Sequence, residues 1–414
     1  MNILIINAHS SLNKGDAGII IAIIDSLKKY IPECNIIVKS RFPALDANAY
    51  DASVSECICN ININEKTGKI FKLRYALKFV PILLGSNNRE RTIDKDYEWA
   101  DAVISCGGGF LLTHGFSVMT LQHLIQIKTA FNYNKPVIIY SQSIGPLYNK
   151  TILNLTKKVL NGITKIFVRE KISYNLLKQI GVTSPVEIVP DAAFGMLSKE
   201  TDTVNKVYND IKTKFDGKSL VGITVRDWNF PEVSDPEVRR VTYKKSIAAV
   251  IELFTGKYNA ACILMPQVLG PNKFNDDRNI SREILAELPD SSNAMLLDYD
   301  FHPRELKYLY SKMDMFIGTR MHSNIFALSS LIPTVAINYE HKTQGIMEML
   351  DLKDYVLNIS DITPEDLINA TVNCWQNREA LKLHLEQGIP KVIEQAQLPA
   401  QYLSELLVRQ AQVG

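Results

Sequence analysis

The run Gly318-Thr319-Arg320-Met321-His322-Ser323-Asn324 concentrates more reactive groups than any other stretch of the chain. It follows the short apolar run Met315–Ile317 and leads into Ile325-Phe326-Ala327-Leu328, a pattern that predicts a strand, a tight turn and a buried helix. A guanidinium at that turn lies near the positive end of a helix and matches a carboxylate or phosphate with paired hydrogen bonds. An imidazole two residues later can move a proton near neutral pH. Ser323 and Asn324 add a hydroxyl and an amide for the same ligand. Beyond the next predicted strand, Asn338-Tyr339-Glu340-His341-Lys342 brings a second cation, Lys342, to the same rim.

Other predicted strands end in loops of the same kind. Val168-Arg169-Glu170, Pro190-Asp191 and Val225-Arg226-Asp227-Trp228 place charges where buried strands emerge. An arginine there requires an anion or a carboxylate, because an unpaired buried charge is expensive. For Arg169 the partners within the chain are Glu170 and Asp191. The triplet Gly107-Gly108-Gly109 is costly in backbone entropy, so it implies either close approach of backbone N–H groups to a ligand or tight packing of chain on chain. Gln142 and Ser143 follow an apolar run and are expected to face a ligand. After the first strand come Asn13, Gly15 and Asp16. Asp16 is expected to cap the following helix, while Asn13 and the helix start could hold an anion or a sugar hydroxyl. The dinucleotide fingerprint Gly-x-Gly-x-x-Gly is absent.

The elements that must position these loops alternate between β-branched runs and helical periods, which predicts parallel sheets wound by crossover helices. Strands are expected at Ile3–Asn7, Ile36–Val38, Ala102–Cys106, Val137–Ser141, Lys165–Val168 and Val186–Val189, and then at Leu220–Val225, Ala260–Met265, Ala294–Leu297, Met315–Ile317 and Thr334–Ile337. The polar stretch Ser198–Ser219 interrupts this rhythm and marks a boundary. The expected architecture is two doubly wound, Rossmann-like α/β domains facing a cleft, at residues 1–200 and 215–375. Helices over 376–414 are expected to pack back on the first domain.

With 414 residues, 46% of them apolar, the chain can bury two sizeable cores. Lys and Arg number 46 against 44 Asp and Glu, a net charge of +2 that argues against a nucleic-acid binder. The six cysteines show no Cys-x-x-Cys pair, so neither a disulfide framework nor a structural zinc site is expected. Met1–Asn7 reads as a strand without a basic leader, which predicts no signal peptide and a cytoplasmic protein. Lys66–Val80 mixes five basic residues with large apolar ones; it suits either a helix packed on its own domain or peripheral contact with an anionic membrane surface.

In order along residues 1 to 350, Asn13-x-Gly15-Asp16, Gly107-Gly108-Gly109, Gln142-Ser143-Ile144-Gly145-Pro146, Val168-Arg169-Glu170, Pro190-Asp191-x-x-Phe194, Arg226 and Gly318-Thr319-Arg320-Met321-His322 resemble the polysaccharide pyruvyl transferase family. The resemblance implies a GT-B-like fold and transfer of pyruvate from phosphoenolpyruvate to a sugar of a cell-surface polysaccharide or its precursor, forming a ketal. It implicates Arg169, Arg320 and His322 in donor binding and catalysis. On this reading His322 is the acid, Asp16 or Asp191 the base, and Arg169 and Arg320 hold the departing phosphate. Arg226, Asn13, Gly15, Gly107, Gly108, Gly109, Gln142, Ser143, Ser323, Asn324 and Lys342 complete the substrate contacts. Phosphoenolpyruvate acts as co-substrate, with no cofactor or metal, and the acceptor is a sugar that could be lipid-linked. The first loop, His9-Ser10-Ser11-Leu12, departs from the family pattern and leaves the acceptor open. A GT-B glycosyltransferase using a nucleotide sugar predicts the same architecture, and a non-catalytic glycan-binding protein is the third reading.

Overall fold

The computed structural model describes residues 1–58, 60, 83, 94–113, 115–231, 233–270, 275–339 and 341–413. The chain divides into two units, one of Met1–Ser11, Ile19–Gly195 and Ile393–Gly414, the other of Leu12–Gly18 and Met196–Val392. The stretch Lys66–Val80 lies outside the described residues. No helix among those described is long and apolar enough to cross a membrane.

In the first unit the apolar runs form β1 (Asn2–Ala8), β2 (Asn35–Ser40), β3 (Ser53–Glu56), β4 (Ala102–Ser105), β5 (Gly108–Thr113), β6 (Val137–Leu147), β7 (Lys165–Val168) and β8 (Val186–Ile188). Their order is β3-β2-β1-β4-β6-β7-β8, with β5 paired to β6, and the pairings are parallel. The helices are α1 (Lys14–Tyr30), α2 (Pro43–Asp46), α3 (Lys95–Trp99), α4 (Val118–Asn132), α5 (Lys150–Leu160) and α6 (Lys171–Gln179). The first turn of α1 groups with the second unit. Central strands are buried, β4 throughout and β1 beyond its first residue, because helices cover both faces of a parallel sheet.

The second unit repeats the plan. After α7 (Asp202–Lys214) come β9 (Ser219–Thr224), α8 (Pro236–Lys257), β10 (Ala260–Leu264), α9 (Asp277–Glu287), β11 (Ala294–Leu296) and α10 (Pro303–Tyr310). Then follow β12 (Met315–Gly318), α11 (Met321–Leu328), β13 (Thr334–Asn338), α12 (His341–Met349), β14 (Val356–Asn358) and α13 (Pro364–Gln376). The parallel order β11-β10-β9-β12-β13-β14 reverses direction between β9 and β12. Phe254, Tyr258 and Trp375 pack edge and face on one side of this sheet. The last helix, α14 (Arg378–Val413), groups with the second unit up to Val392 and with the first from Ile393.

The architecture is two doubly wound parallel-sheet α/β units. Three strands were not expected from sequence. β3 is Ser-Val-Ser-Glu, and β14 has three residues, so neither shows a period. β5 begins at Gly108, where a loop was expected: Gly108 pairs with Gln142 of β6 and the chain continues as strand. Asp16 does not cap α1, because the helix starts earlier and Asn13 Oδ1 accepts from the N–H groups of Gly15 (3.1 Å) and Asp16 (3.4 Å).

The exit of β1 is pinned by Asp46, a fully buried carboxylate that accepts from Ser11 N at 2.9 Å and Ser40 Oγ at 2.5 Å. Asp46→Ala leaves that N–H buried and unpaired, at a cost of about 1–3 kcal/mol. The melting midpoint is expected to fall by several degrees in a thermal scan, and an unchanged midpoint would show the contact to be idle.

Candidate active site

Where strand order reverses in a parallel sheet, the loops on either side diverge and leave a crevice at the strand ends. In the second unit that point lies between β9, which ends toward Arg226, and β12, which ends in Thr319, Arg320 and His322. Tyr243 ties the two ends together. Its hydroxyl accepts from Arg226 N at 3.3 Å and lies 2.8 Å from Thr319 Oγ1. Burial pushes the Tyr243 phenol up to about 12, so it remains a protonated hydrogen-bonding group. Thr224 Oγ1 and Ser323 Oγ, 2.6 Å apart, make a second tie, and Ser323 Oγ also donates to Arg320 O at 2.6 Å.

The two arginines of this crevice differ sharply. Arg320 is committed: its Nε lies 3.2 Å from both oxygens of Asp277, and Nη2 closes a further contact with Oδ1. Asp277 is itself fixed at the head of α9, where Oδ2 accepts from Gln267 N (3.2 Å) and Val268 N (2.9 Å). Burial works against the charge on Arg320, but the adjacent Asp277 carboxylate outweighs it and the guanidinium pKa rises. Arg226 is differently held. Its guanidinium lies 4.6 Å from the Trp228 ring and 4.0 Å from the Tyr339 ring, and it has no carboxylate partner among the described residues. Two aromatic faces orient the cation and leave its N–H edge for an incoming anion.

His322 opens α11 and is half-buried against the head of α1. A Cβ added at Gly15 would lie 2.6 Å from His322 Cβ, so the imidazole occupies the space that only a glycine leaves. The loop carrying Gly15 is clamped to the segment that follows β10 by Lys14 N to Gln267 O and Leu269 N to Leu12 O, each 3.0 Å. The Lys14 ammonium is buried and ion-paired to Asp300 at 2.5 Å. Asn13 Nδ2 donates to Asp16 Oδ2 at 2.7 Å, which aims that carboxylate. Thus Asn13, Gly15, Asp16, Arg226, Arg320, His322 and Ser323 all group in the second unit. Lys342 stands half-buried at the start of α12, beyond β13, the neighbour of β12. Asn324 is buried over Gly318, where an added Cβ would meet its Cγ at 2.8 Å, and its amide atoms have no hydrogen-bond partner among the described residues.

The first unit holds the remaining candidates. Arg169 Nη1 pairs with Asp191 Oδ2 at 2.5 Å, Arg169 Nε donates to Ser143 Oγ at 2.6 Å, and Glu170 lies 3.7 Å away. Asp191 also accepts from Ala193 N at 2.9 Å, so its carboxylate is engaged by its own domain rather than poised as a base. Gln142 is buried on β6 with neither amide atom bonded among the described residues. Gly107 serves tight packing: a Cβ there would meet Tyr140 O at 2.6 Å. Gly108 has φ +129°, and Gly109 continues into β5. Close to them, burial first and the charge of Arg41 second hold the His123 imidazole down to about 3. Among the described residues no three His, Cys, Asp or Glu side chains gather as metal ligands would.

Asp277, Tyr243 and the Trp228–Tyr339 pair were not singled out from sequence. Asp276 and Asp277 heading a helical period was the available sign of α9, since Asp276 caps it by accepting from Arg278 N. Long-range partners such as Tyr243 carry no local signal. Removing one member of the buried pair strands the other charge, so Asp277→Asn is expected to cost about 3–5 kcal/mol, and the double variant Asp277→Asn/Arg320→Leu to recover much of it. Thermal melts of the three proteins decide this; additive losses would contradict it. His123 stays neutral in the fold while the unfolded imidazole protonates near its ordinary value of about 6.5, so its contribution is present above that pH and lost as pH falls toward about 3. The melting midpoint of His123→Phe, relative to the natural protein, should therefore improve between pH about 7 and about 4; a constant difference would argue against a neutral buried imidazole.

Comparison with known proteins fits this geometry. The amylovoran biosynthesis protein AmsJ of Erwinia amylovora is 23% identical over 415 residues, covering 96% of this chain and 97% of the relative. Among solved structures, UDP-GlcNAc 2-epimerase of Neisseria meningitidis, bound to UDP-GlcNAc, superposes with a TM-score of 0.59 at 14% identity over all of both chains. Anabaena HepE in complex with UDP-glucose gives 0.58 at 12% identity, over 99% of this chain and 100% of that one. These likenesses make the fold GT-B-like. The model of polysaccharide pyruvyl transferases matches residues 13–341, from the Asn13 cap to the residue before Lys342, and the chain belongs to that family.

Proposed function

We propose that this transferase of polysaccharide biosynthesis moves pyruvate from phosphoenolpyruvate to a sugar of a cell-surface polysaccharide or its lipid-linked precursor, as a ketal. The observation that carries the reading is Arg226, a cation oriented by Trp228 and Tyr339 without a carboxylate partner among the described residues, at the end of β9, whose neighbour β12 leads to the His322 imidazole. Phosphoenolpyruvate presents a carboxylate and a phosphate, and two cations with helix N–H groups suit it. Arg226 and Lys342 are assigned to those anionic groups. Arg320, neutralised by Asp277, holds the turn that carries His322.

In this mechanism His322 protonates the methylene carbon, and C2 becomes electrophilic. A sugar hydroxyl adds to C2 and gives its proton to Asp16. The C2–O bond to phosphate breaks, phosphate leaves on the cations, and a second hydroxyl adds to C2 and gives its proton to the imidazole of His322, closing the ring. Asp16 is preferred over Asp191 because Asp191 is tied to Arg169 and Ala193 N. The reaction is assigned to the cytoplasm, where phosphoenolpyruvate is made.

Isotopically labelled phosphoenolpyruvate incubated with lipid-linked saccharides should yield a labelled, acid-labile pyruvyl adduct by mass spectrometry. His322→Ala should lower turnover by on the order of a hundredfold or more, and Gly15→Ala should follow it by displacing the imidazole. Full turnover in folded variants, or transfer only from nucleotide sugars, would contradict the proposal.

A further inference from the structure

The two sides of α8 differ in what they meet. Tyr243, Ile247, Val250, Ile251 and Phe254 are buried, and the helix packs on β10, α9 and α13. The outward side carries Val238, Val241, Lys245, Ala248 and Glu252, spaced alternately three and four residues apart, with Ala249 beside Ala248. That spacing holds them on one stripe, as in a helix that meets another helix along a seam. Val238 is 58% exposed and Val241 37%. Val241, Lys245, Ala248, Ala249 and Glu252, with Glu287 of α9, line an open groove of about 390 Å³.

The charges on this stripe are the telling part. Their neighbours are satisfied within the chain: Lys244 pairs with Glu283 at 3.2 Å and with Glu287 at 2.5 Å. Lys245 and Glu252 are exposed, and neither makes an ion pair among the described residues. They stand about 10 Å apart along the helix, too far to pair with each other. The stripe is its own complement when run in the opposite direction. With a two-fold axis between Ala248 and Ala249, Lys245 faces Glu252 of a second copy, Ala248 faces Ala249, and Val241 faces Gly256. A Cβ added at Gly256 would meet nothing within 4 Å, which leaves room for that valine. Alanines at the centre let two helix axes approach to about 8 Å. A lipid surface or a nucleic acid would select one sign of charge, whereas this stripe alternates.

We propose that the outward face of α8 is a docking surface for a second copy of this chain, which pairs antiparallel with it through Val241, Lys245, Ala248, Ala249 and Glu252. Such a contact is isologous, so it closes at two copies and does not propagate. One helical seam buries less than the about 800 Å² per copy of a standard interface, so the dimer forms as a function of concentration. Each exposed Lys–Glu pair adds little affinity, but like charges at the same positions oppose the contact, so the pairs set register and direction. The inference does not depend on the transferase reading, because none of these residues lies at the strand ends assigned to the donor.

Sedimentation velocity of the full chain, over a series from about 5 to about 200 μM, tests it. The natural protein should pass from monomer to dimer across the series. Lys245→Glu and Glu252→Lys each set like charges across the axis, and each alone should weaken dimerisation by roughly tenfold or more. Both residues are exposed, so the variants should fold, which circular dichroism checks. Mixed in equal amounts, the two variants should dimerise again, because each carries the charges that the other lacks. The double variant Lys245→Glu/Glu252→Lys should dimerise like the natural protein. A monomer at every concentration would overturn the inference. So would a dimer that survives both single reversals, since it uses another face, or single variants that do not recover on mixing.

Discussion

The second unit's chemistry depends on one buried ion pair, Arg320 with Asp277. Such a pair adds little net stability, because desolvating two charges offsets their attraction, yet it tolerates few geometries. Asp277 is held by two backbone amides at the head of α9, and Arg320 caps nothing with its side chain although it precedes α11. The pair therefore locks the end of β12 to the segment after β10. His322 inherits its position from that lock and from the missing side chain at Gly15. It also consumes the charge of the arginine that looks most reactive in sequence.

That redistribution of roles is the main mechanistic consequence. On the proposed reading, with Arg320 neutralised, anion recognition in this unit passes to Arg226, whose orientation comes from ring faces instead of a carboxylate. A guanidinium held this way keeps its hydrogen-bonding edge for a ligand and avoids the cost of first breaking an ion pair. Arg169 repeats the logic of Arg320 in the first unit: the strand-end arginine is satisfied by Asp191, an acid that arrives from the next strand end. In both units the arginine nearest a helix start organises its turn.

Much of this was legible in the residues. The β-branched runs located the central strands, Lys165–Val168 to the residue, because strands buried on both faces leave an uninterrupted apolar signal. The loops that end them carried the polar residues, so Arg226, Arg320 and His322 could be picked out before any fold was known. What stayed hidden was pairing. Asp277 lies 43 residues from Arg320, and the sequence has no local mark for such a contact. For Gly107 the sequence left ligand approach and chain packing both open, since entropy cost alone does not say what approaches the backbone; the structure sets it tightly against Tyr140 O. The short strands β3 and β14 lacked the length to show a period.

The central claim is that Arg226, not the paired Arg320, supplies the charge that receives the donor's anion. Isothermal titration of phosphoenolpyruvate into the natural protein and into Arg226→Ala and Arg226→Lys measures this directly. Loss of a charge-assisted contact of about 1.5–3 kcal/mol predicts roughly 10- to 150-fold weaker binding in Arg226→Ala, with partial recovery in Arg226→Lys. Equal affinities in all three proteins would contradict the account.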